Sequence, residues 1–190
     1  MTAGDGYPEI STRADNDAAL RMRRLCLILG PIPFSPPSLL TRGRRVATLN
    51  CMECLGGCHC GNIHVRLRLT KPPEDNPLRA CTCSFCRSHN PRMLSDSGGL
   101  LEVRADDWSL VERYRFGTST CDFLICRRCG VFIAAVAEMT EGIRAVVNVN
   151  CLDDRGRFTS VPTMHDFDGE AIENRSSRHA ANWMPAILQT

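Results

Sequence analysis

The residues of this chain best suited to chemistry are cysteines, and their spacing is more informative than their number. Seven of the twelve form three groups in which one or two residues separate neighbouring cysteines: Cys58 and Cys60; Cys81, Cys83 and Cys86; Cys126 and Cys129. Thiolates grouped in this way suit zinc, because Zn–S bonds of about 2.3 Å in a tetrahedron place the sulfur atoms roughly 3.8 Å apart. Disulfides or unligated buried cysteines are the alternative interpretation.

The two outer pairs supply enough ligands for one closed site. Cys58 and Cys60 lie at the entrance of a predicted strand, and Cys126 and Cys129 lie in a predicted turn, with a glycine directly after each pair. A zinc ion bound by these four thiolates (the four-cysteine cluster) would join distant parts of the chain, so its binding energy would contribute to folding.

Cys81, Cys83 and Cys86 (the three-cysteine cluster) are one ligand short of a closed tetrahedral site. A second zinc ion there would keep a position open for water or a substrate thiol, which is the arrangement of catalytic sites. A further protein ligand would close the site and make it structural, and the candidates are Cys51, Cys54, Cys121, Cys151 and His89.

Arginines surround the three-cysteine cluster. Arg79, Arg87 and Arg92 lie close to it in sequence, and no acidic residue occurs between Asp75 and Asp96. This local positive charge would favour thiolates and attract an anionic thiol, with Arg87 as a candidate to hold a substrate carboxylate. The alternative is that the arginines only balance the charge of the thiolates.

The segments that must position these cysteines are predicted to be short strands. Residues 63–69 alternate strictly, with apolar Ile63, Val65, Leu67 and Leu69 on one face. Further strands are predicted at 100–103, 108–116, 123–125, 131–137 and 143–151. Short strands separated by turn residues indicate a mainly β domain of antiparallel sheets.

The chain divides into three parts by its patterning. Residues 1–50 show neither helical nor strand periodicity and are expected to be a poorly ordered extension. Residues 51–170 hold both cysteine clusters and form the expected zinc-binding domain. Residues 171–190 are expected to be an irregular tail, with room for a short helix near 178–183.

Charge and composition exclude several classes of function. Seven thiolates and two divalent ions would change the formal charge of +2 to about −1, so nucleic-acid binding is not expected. The N-terminus is polar and acidic, unlike a secretory signal, and the apolar residues 25–32 are too few to span a membrane. A reducing, cytoplasmic location agrees with cysteines that stay reduced.

Four motifs, in this order, resemble the glutathione-dependent formaldehyde-activating enzyme family, which includes the centromere protein V type of domain. They are Gly56-Gly57-Cys58-His59-Cys60-Gly61, Cys81-Thr82-Cys83-Ser84-Phe85-Cys86-Arg87, Tyr114-Arg115-Phe116-Gly117-Thr118 and Cys126-Arg127-Arg128-Cys129-Gly130-Val131. Thr82 stands where that family usually has histidine. The resemblance spans residues 56–169.

The resemblance implies a β-tent fold of packed antiparallel sheets, a structural zinc on the four-cysteine cluster and a second zinc on the three-cysteine cluster. It also implies condensation of formaldehyde with glutathione to S-hydroxymethylglutathione, a carbon–sulfur lyase reaction. Two alternatives stay open: a non-catalytic zinc-stabilised module that binds protein or nucleic acid, and an iron–thiolate redox protein.

Overall fold

The structure is a computed structural model, and it describes residues 52–190. The extension expected at residues 1–50 and the candidate ligand Cys51 lie outside the described residues. Within residues 52–190, every helix is too short and too polar to cross a lipid bilayer.

Residues 52–190 form eleven strands and two helices. The strands are β1 Met52–Gly57, β2 Ile63–Leu69, β3 Leu78–Cys81, β4 Met93–Leu94, β5 Leu100–Ala105, β6 Val111–Tyr114, β7 Asp122–Cys126, β8 Phe132–Met139, β9 Gly142–Asn148, β10 Thr163–His165 and β11 Met184–Gln189. The helices are α1 Ser84–His89 and α2 Ile172–Asn182, and 3-10 turns cover Pro73–Asp75, Trp108–Leu110, Val149–Cys151 and Arg155–Arg157. The expected mainly β architecture is confirmed.

All the strands belong to one sheet, which divides at β9. On one edge of β9 lies β8, which continues to β7 and β6. The first half of β9 also pairs with β11, which leads through β5 and β2 to β1. The end of β9 pairs with β4, which leads to β3 and β10. The pairings are antiparallel except for β3 with β10 and β5 with β11.

The alternation of β2 explains how this sheet separates its core from solvent. Ile63, Val65, Leu67 and Leu69 are all buried against the core. On the other face, Arg66 and Arg68 approach Glu102 of the neighbouring β5, with 3.0 Å between Arg68 Nη2 and Glu102 Oε1. Cross-strand pairs of opposite charge fix the register on the solvent side.

The expected irregular tail at residues 171–190 is wrong. Residues 172–182 form α2, and residues 184–189 form β11, which lies between β5 and β9 inside the sheet. The sequence obscures β11 because Pro185 interrupts it. Pro185 pairs only with Arg144 of β9, and the parallel pairing with β5 begins one residue later at Ala186, so its missing N–H removes no bond to β5.

The strand predicted at 108–116 begins later than expected. Asp107 accepts hydrogen bonds from the backbone N–H of Ser109 at 2.9 Å and from its hydroxyl at 2.7 Å. This side-chain cap turns residues 108–110 into a 3-10 turn, and the strand β6 starts only at Val111.

Candidate metal centres and cleft

The four-cysteine cluster is assembled by two turns that are far apart in sequence. Cys58 and Cys60 precede β2, whereas Cys126 ends β7 and Cys129 follows it. The sulfur atoms of Cys58 and Cys60 are 3.5 Å apart, as are those of Cys60 and Cys126. All four sulfur atoms lie within 4.8 Å of one another, so this cluster could hold a metal ion.

The two turns have the same construction. Gly61 N–H donates to Cys58 O at 3.1 Å, and Gly130 N–H donates to Cys126 O at 2.8 Å. Both glycines have positive φ, +81° and +75°, a conformation that a side chain would strain. The glycine after the second cysteine therefore permits the tight turn in both places.

The three-cysteine cluster surrounds the start of α1. Cys81 ends β3, Cys83 is the N-cap of the helix, and Cys86 lies in its first turn. Backbone N–H groups point at the sulfur atoms: Cys83 N–H donates to Cys81 Sγ at 3.5 Å, and Cys86 N–H donates to Cys83 Sγ at 3.4 Å. The three sulfur atoms lie within 4.8 Å of one another and could hold a second metal ion.

Sulfur-only ligand sets at these separations are compatible with zinc, which prefers tetrahedral thiolate ligation. The ten cysteines in the part of the chain that the structure describes are all free of disulfide bonds. As free thiols they are available to bind a metal ion.

No fourth cysteine or histidine among residues 52–190 joins the three-cysteine cluster at ligand distance. Cys121 lines the cleft beside it without belonging to the cluster. His89 is occupied elsewhere, because its Nδ1 lies 2.9 Å from Phe85 O and its ring stacks on Phe85 with centroids 4.2 Å apart. Cys54 and Cys151 are buried in the main core.

Hydrogen bonding makes the three thiols unequal. The Cys86 thiol bonds to Cys81 and, with the N–H and thiol of Cys83, lowers the pKa of Cys81 to about 5. The same Cys81–Cys86 bond raises the pKa of Cys86, and burial raises the pKa of Cys83. One thiolate, stabilised by two thiols, is thus favoured at neutral pH before a metal ion adds its own charge.

The thiols of the four-cysteine cluster also differ from one another in pKa. Burial raises the pKa of Cys126 to about 12. Burial acts the same way on Cys129, but backbone N–H groups of Val131 and Cys60 outweigh it and lower the pKa of Cys129 to about 6. A bound cation would stabilise the remaining thiolates of both clusters.

A cleft of about 770 Å³ opens over the three-cysteine cluster. Cys81, Cys83 and Cys86 line it, whereas no member of the four-cysteine cluster does. Its apolar side is formed by six side chains, each from a different segment: Met93, Phe116, Phe123, Val146, Phe167 and Trp183. A ligand in this cavity would therefore reach the three-cysteine cluster and not the four-cysteine cluster.

The charged wall of the cleft is built by α2 and the loop before it, which also supplies Phe167. Glu170 accepts from Arg178 Nε at 2.9 Å and Nη2 at 2.7 Å, and Arg175 Nε lies 3.4 Å from the same carboxylate. The bonds from Arg178 lower the pKa of Glu170. Arg178 also lies over the ring of Phe167, 3.9 Å from its centroid. These contacts hold the wall in place.

His179 of α2 is buried within this wall and also lines the cleft. Its ring stacks on Trp183 with centroids 3.8 Å apart, and its Nδ1 has no hydrogen-bond partner among residues 52–190. Burial and then the nearby Arg178 and Arg175 lower the pKa of His179 to about 4.

Three residues of the cleft were not predicted from the sequence: Arg175, Arg178 and His179. They lie in the segment 171–190, which was expected to be irregular. Their spacing of three and four positions on one helix face was the available signal. Arg79 and Arg87 line the cleft as their position near the cysteines suggested. Arg92 does not, since it bonds Asn150 Oδ1 at 2.7 Å and Phe158 O at 3.0 Å.

No family model and no curated protein matches the chain. A crystal structure of a Rhodobacter sphaeroides protein is similar to it, with 26% sequence identity and a TM-score of 0.45. The similarity covers 58% of this chain and 99% of that one.

Proposed function

We propose that this protein is a zinc-dependent enzyme of the carbon–sulfur lyase type, which joins a thiol to an aldehyde. The reaction of reference is the condensation of glutathione with formaldehyde to S-hydroxymethylglutathione. The observation that carries the proposal is the convergence of three thiols, and no fourth ligand among residues 52–190, inside a cleft of about 770 Å³.

The two clusters would have different roles. Cys58, Cys60, Cys126 and Cys129 form a complete ligand set outside the cleft, which is typical of structural zinc. Cys81, Cys83 and Cys86 would hold a second zinc with a position open towards the cleft. When bound there, zinc would lower the pKa of a substrate thiol and orient its sulfur.

The residues around the open position would bind the rest of the substrate. Arg87 directly follows Cys86 on α1 and lines the cleft, so its guanidinium is available to a substrate carboxylate. The apolar side of the cleft would keep part of the substrate away from water. Thr82 lies between two of the cysteines, and its backbone N–H donates to His165 O at 3.0 Å, which ties the cluster to β10.

The proposed reaction balances without an oxidant or reductant. The sulfur adds to the carbonyl carbon, the carbon–oxygen double bond becomes single, and the thiol proton is transferred to the carbonyl oxygen. The rate enhancement would come from the lowered pKa of the thiol together with the proximity and orientation of the two reactants.

We further infer that the chain belongs to the glutathione-dependent formaldehyde-activating enzyme family, with its β-tent fold. Support comes from the order of the four motifs and from the geometry of the two clusters, which unite the cysteines as the resemblance requires. A cytoplasmic location is proposed on the free thiols alone.

Metal analysis of the purified protein, combined with an assay of thiol and aldehyde condensation, tests this function. We expect about two zinc ions per chain and turnover that depends on both substrates. A protein that holds both zinc ions but never accelerates the condensation of any thiol and aldehyde would support the alternative of a zinc-stabilised binding module. Visible absorbance from bound iron would support the redox alternative.

A further inference from the structure

Two features of the cleft remain unused by the proposed reaction. One is a half-buried arginine, Arg79, and the other is the apolar side made of six side chains. Neither is needed to hold a metal ion or to bind a molecule as small as formaldehyde. Together they describe the kind of substrate that the cleft fits.

Arg79 points in the same direction as the three-cysteine cluster. It lies on β3 two residues before Cys81, and residues two apart on a strand share a face. Both residues line the cleft. An anionic group of a molecule whose sulfur sits near Cys81 is therefore within reach of the Arg79 guanidinium.

Arg79, like Arg87, brings to the cleft a positive charge that no side chain among residues 52–190 compensates. Arg175 and Arg178 share the carboxylate of Glu170, whereas the Arg79 side chain has no hydrogen bond or ion pair within the described part of the chain. Burial and then repulsion from Arg178 lower the pKa of Arg79, as expected for a cation without a partner. A ligand carboxylate would supply that partner.

The apolar side of the cleft is built from well-packed rings. Phe116 and Phe123 lie with their ring centroids 4.9 Å apart, and the ring of Trp183 stacks on that of His179 with centroids 3.8 Å apart. Met93 and Val146 complete the surface. A preformed surface of this kind gains most from an aromatic or alkyl group.

We propose that the cleft selects an amphiphilic anion: a sulfur compound whose carboxylate binds Arg79 and whose aryl or alkyl substituent packs on Phe116, Phe123 and Trp183. This inference rests on the proposed function and specifies its substrate class. The preferred aldehyde would then be a larger apolar one, and the product an S-conjugate with an apolar substituent.

Calorimetric binding of three thioethers to the zinc-loaded full chain tests the proposal. The probes are S-benzylglutathione, S-methylglutathione and the diethyl ester of S-benzylglutathione. We expect S-benzylglutathione to bind at least about tenfold more tightly than S-methylglutathione, because burying a benzyl group is as favourable as burying a phenylalanine side chain. The diethyl ester should bind about tenfold more weakly than the acid, since charge-assisted hydrogen bonds are lost.

The variant Arg79→Gln tests whether Arg79 is the residue that binds the ligand carboxylate. It should weaken S-benzylglutathione about tenfold and leave the diethyl ester unchanged. Arg66→Gln, which removes the same charge from β2 outside the cleft, should bind all three probes like the unmodified chain. Equal effects of the two variants, or equal losses for acid and ester, would overturn the role of Arg79.

Equal affinities for S-benzylglutathione and S-methylglutathione would overturn the role of the apolar side. If Arg79→Gln does not fold, the comparison of acid with ester on the unmodified chain still decides the charge requirement. Binding of thioethers needs no turnover. A chain that binds as expected but never condenses thiol with aldehyde would therefore contradict the proposed function and leave the ligand class standing.

Discussion

Cys60 Sγ and Cys126 Sγ lie 3.5 Å apart although 66 positions separate the two residues. The contact joins the turn before β2 to the end of β7, which belong to different arms of the divided sheet. No backbone ladder connects β2 with β7 directly. The four-cysteine cluster therefore links these two arms directly.

Cys126→Ser should give unfolded or insoluble protein. Binding of structural zinc contributes on the order of 10 kcal/mol in small peptides, which is comparable with the whole stability of a domain at about 5–15 kcal/mol. Zinc content and a denaturation curve measure the effect. Cys121→Ser, a change in the same segment but outside both clusters, should retain both metal ions and a native transition. Native stability in Cys126→Ser with full zinc would contradict a structural role.

Cys83→Ser should fold, lose the second zinc and lose activity. Serine is a favourable N-cap, so its hydroxyl can replace the Cys83 sulfur as acceptor for the Cys86 N–H and preserve α1. Two remaining thiolates hold zinc poorly. The expected measurement is a fall from about two zinc ions to about one per chain, with little change in the thermal transition. Unfolding as severe as that of Cys126→Ser would show that the three-cysteine cluster is structural.

His179→Phe should remove part of the acid sensitivity of the fold. The pKa of His179 is about 4 when folded against 6.5 when unfolded, so the unfolded state binds the proton more readily as pH falls from 6.5 towards 4. Phenylalanine keeps the stacking on Trp183 and carries no proton. Between pH 7.5 and pH 5, the variant should gain about 2 kcal/mol relative to the unmodified chain. The free energy of unfolding, measured at both pH values, checks this; an unchanged difference would mean that His179 is not buried neutral.

Gly56→Ala should destabilise the protein by about 1–3 kcal/mol, because a Cβ would overpack the contact between β1 and the turn after β9. The added atom would lie 2.3 Å from Cys151 O and 2.6 Å from the Cα of Leu152, both of them backbone atoms that cannot turn aside. Gly156→Ala is the matched control, since nothing lies within 4 Å of its added Cβ. Equal denaturation midpoints for the two variants would contradict the close approach.

The sequence predicts those parts of the fold that carry a periodic pattern. The strand expected at 63–69 agrees with β2 residue for residue, because one of its faces is apolar and the other is charged. The spacing of the cysteines likewise anticipates each closely spaced group, since a tight turn brings its members together. The union of the two outer pairs in one cluster depends on contact between distant segments. A local sequence pattern is sufficient to predict a structure that only neighbouring residues determine.

The wall formed by α2 was not predictable in this way. Its contacts are ion pairs and ring stacking, as between Glu170 and Arg178 or His179 and Trp183, and these leave no apolar stripe in the sequence. β11 is recognised only by its two neighbours, which the chain supplies from distant segments. The cleft depends on both elements, so its shape could not be inferred from the cysteines alone.

The position of β11 also governs how fast this protein can reach its native state. Its parallel partner β5 is far away in sequence, with Leu101 opposite Ala186, so a long loop must close before any of that pairing is gained. Domains dominated by such distant pairings fold slowly, on the scale of milliseconds to seconds. Until β11 docks, β5 and β9 each keep an unpaired edge that can recruit strands of another chain. Refolding yield should therefore fall as protein concentration rises, even when zinc is abundant.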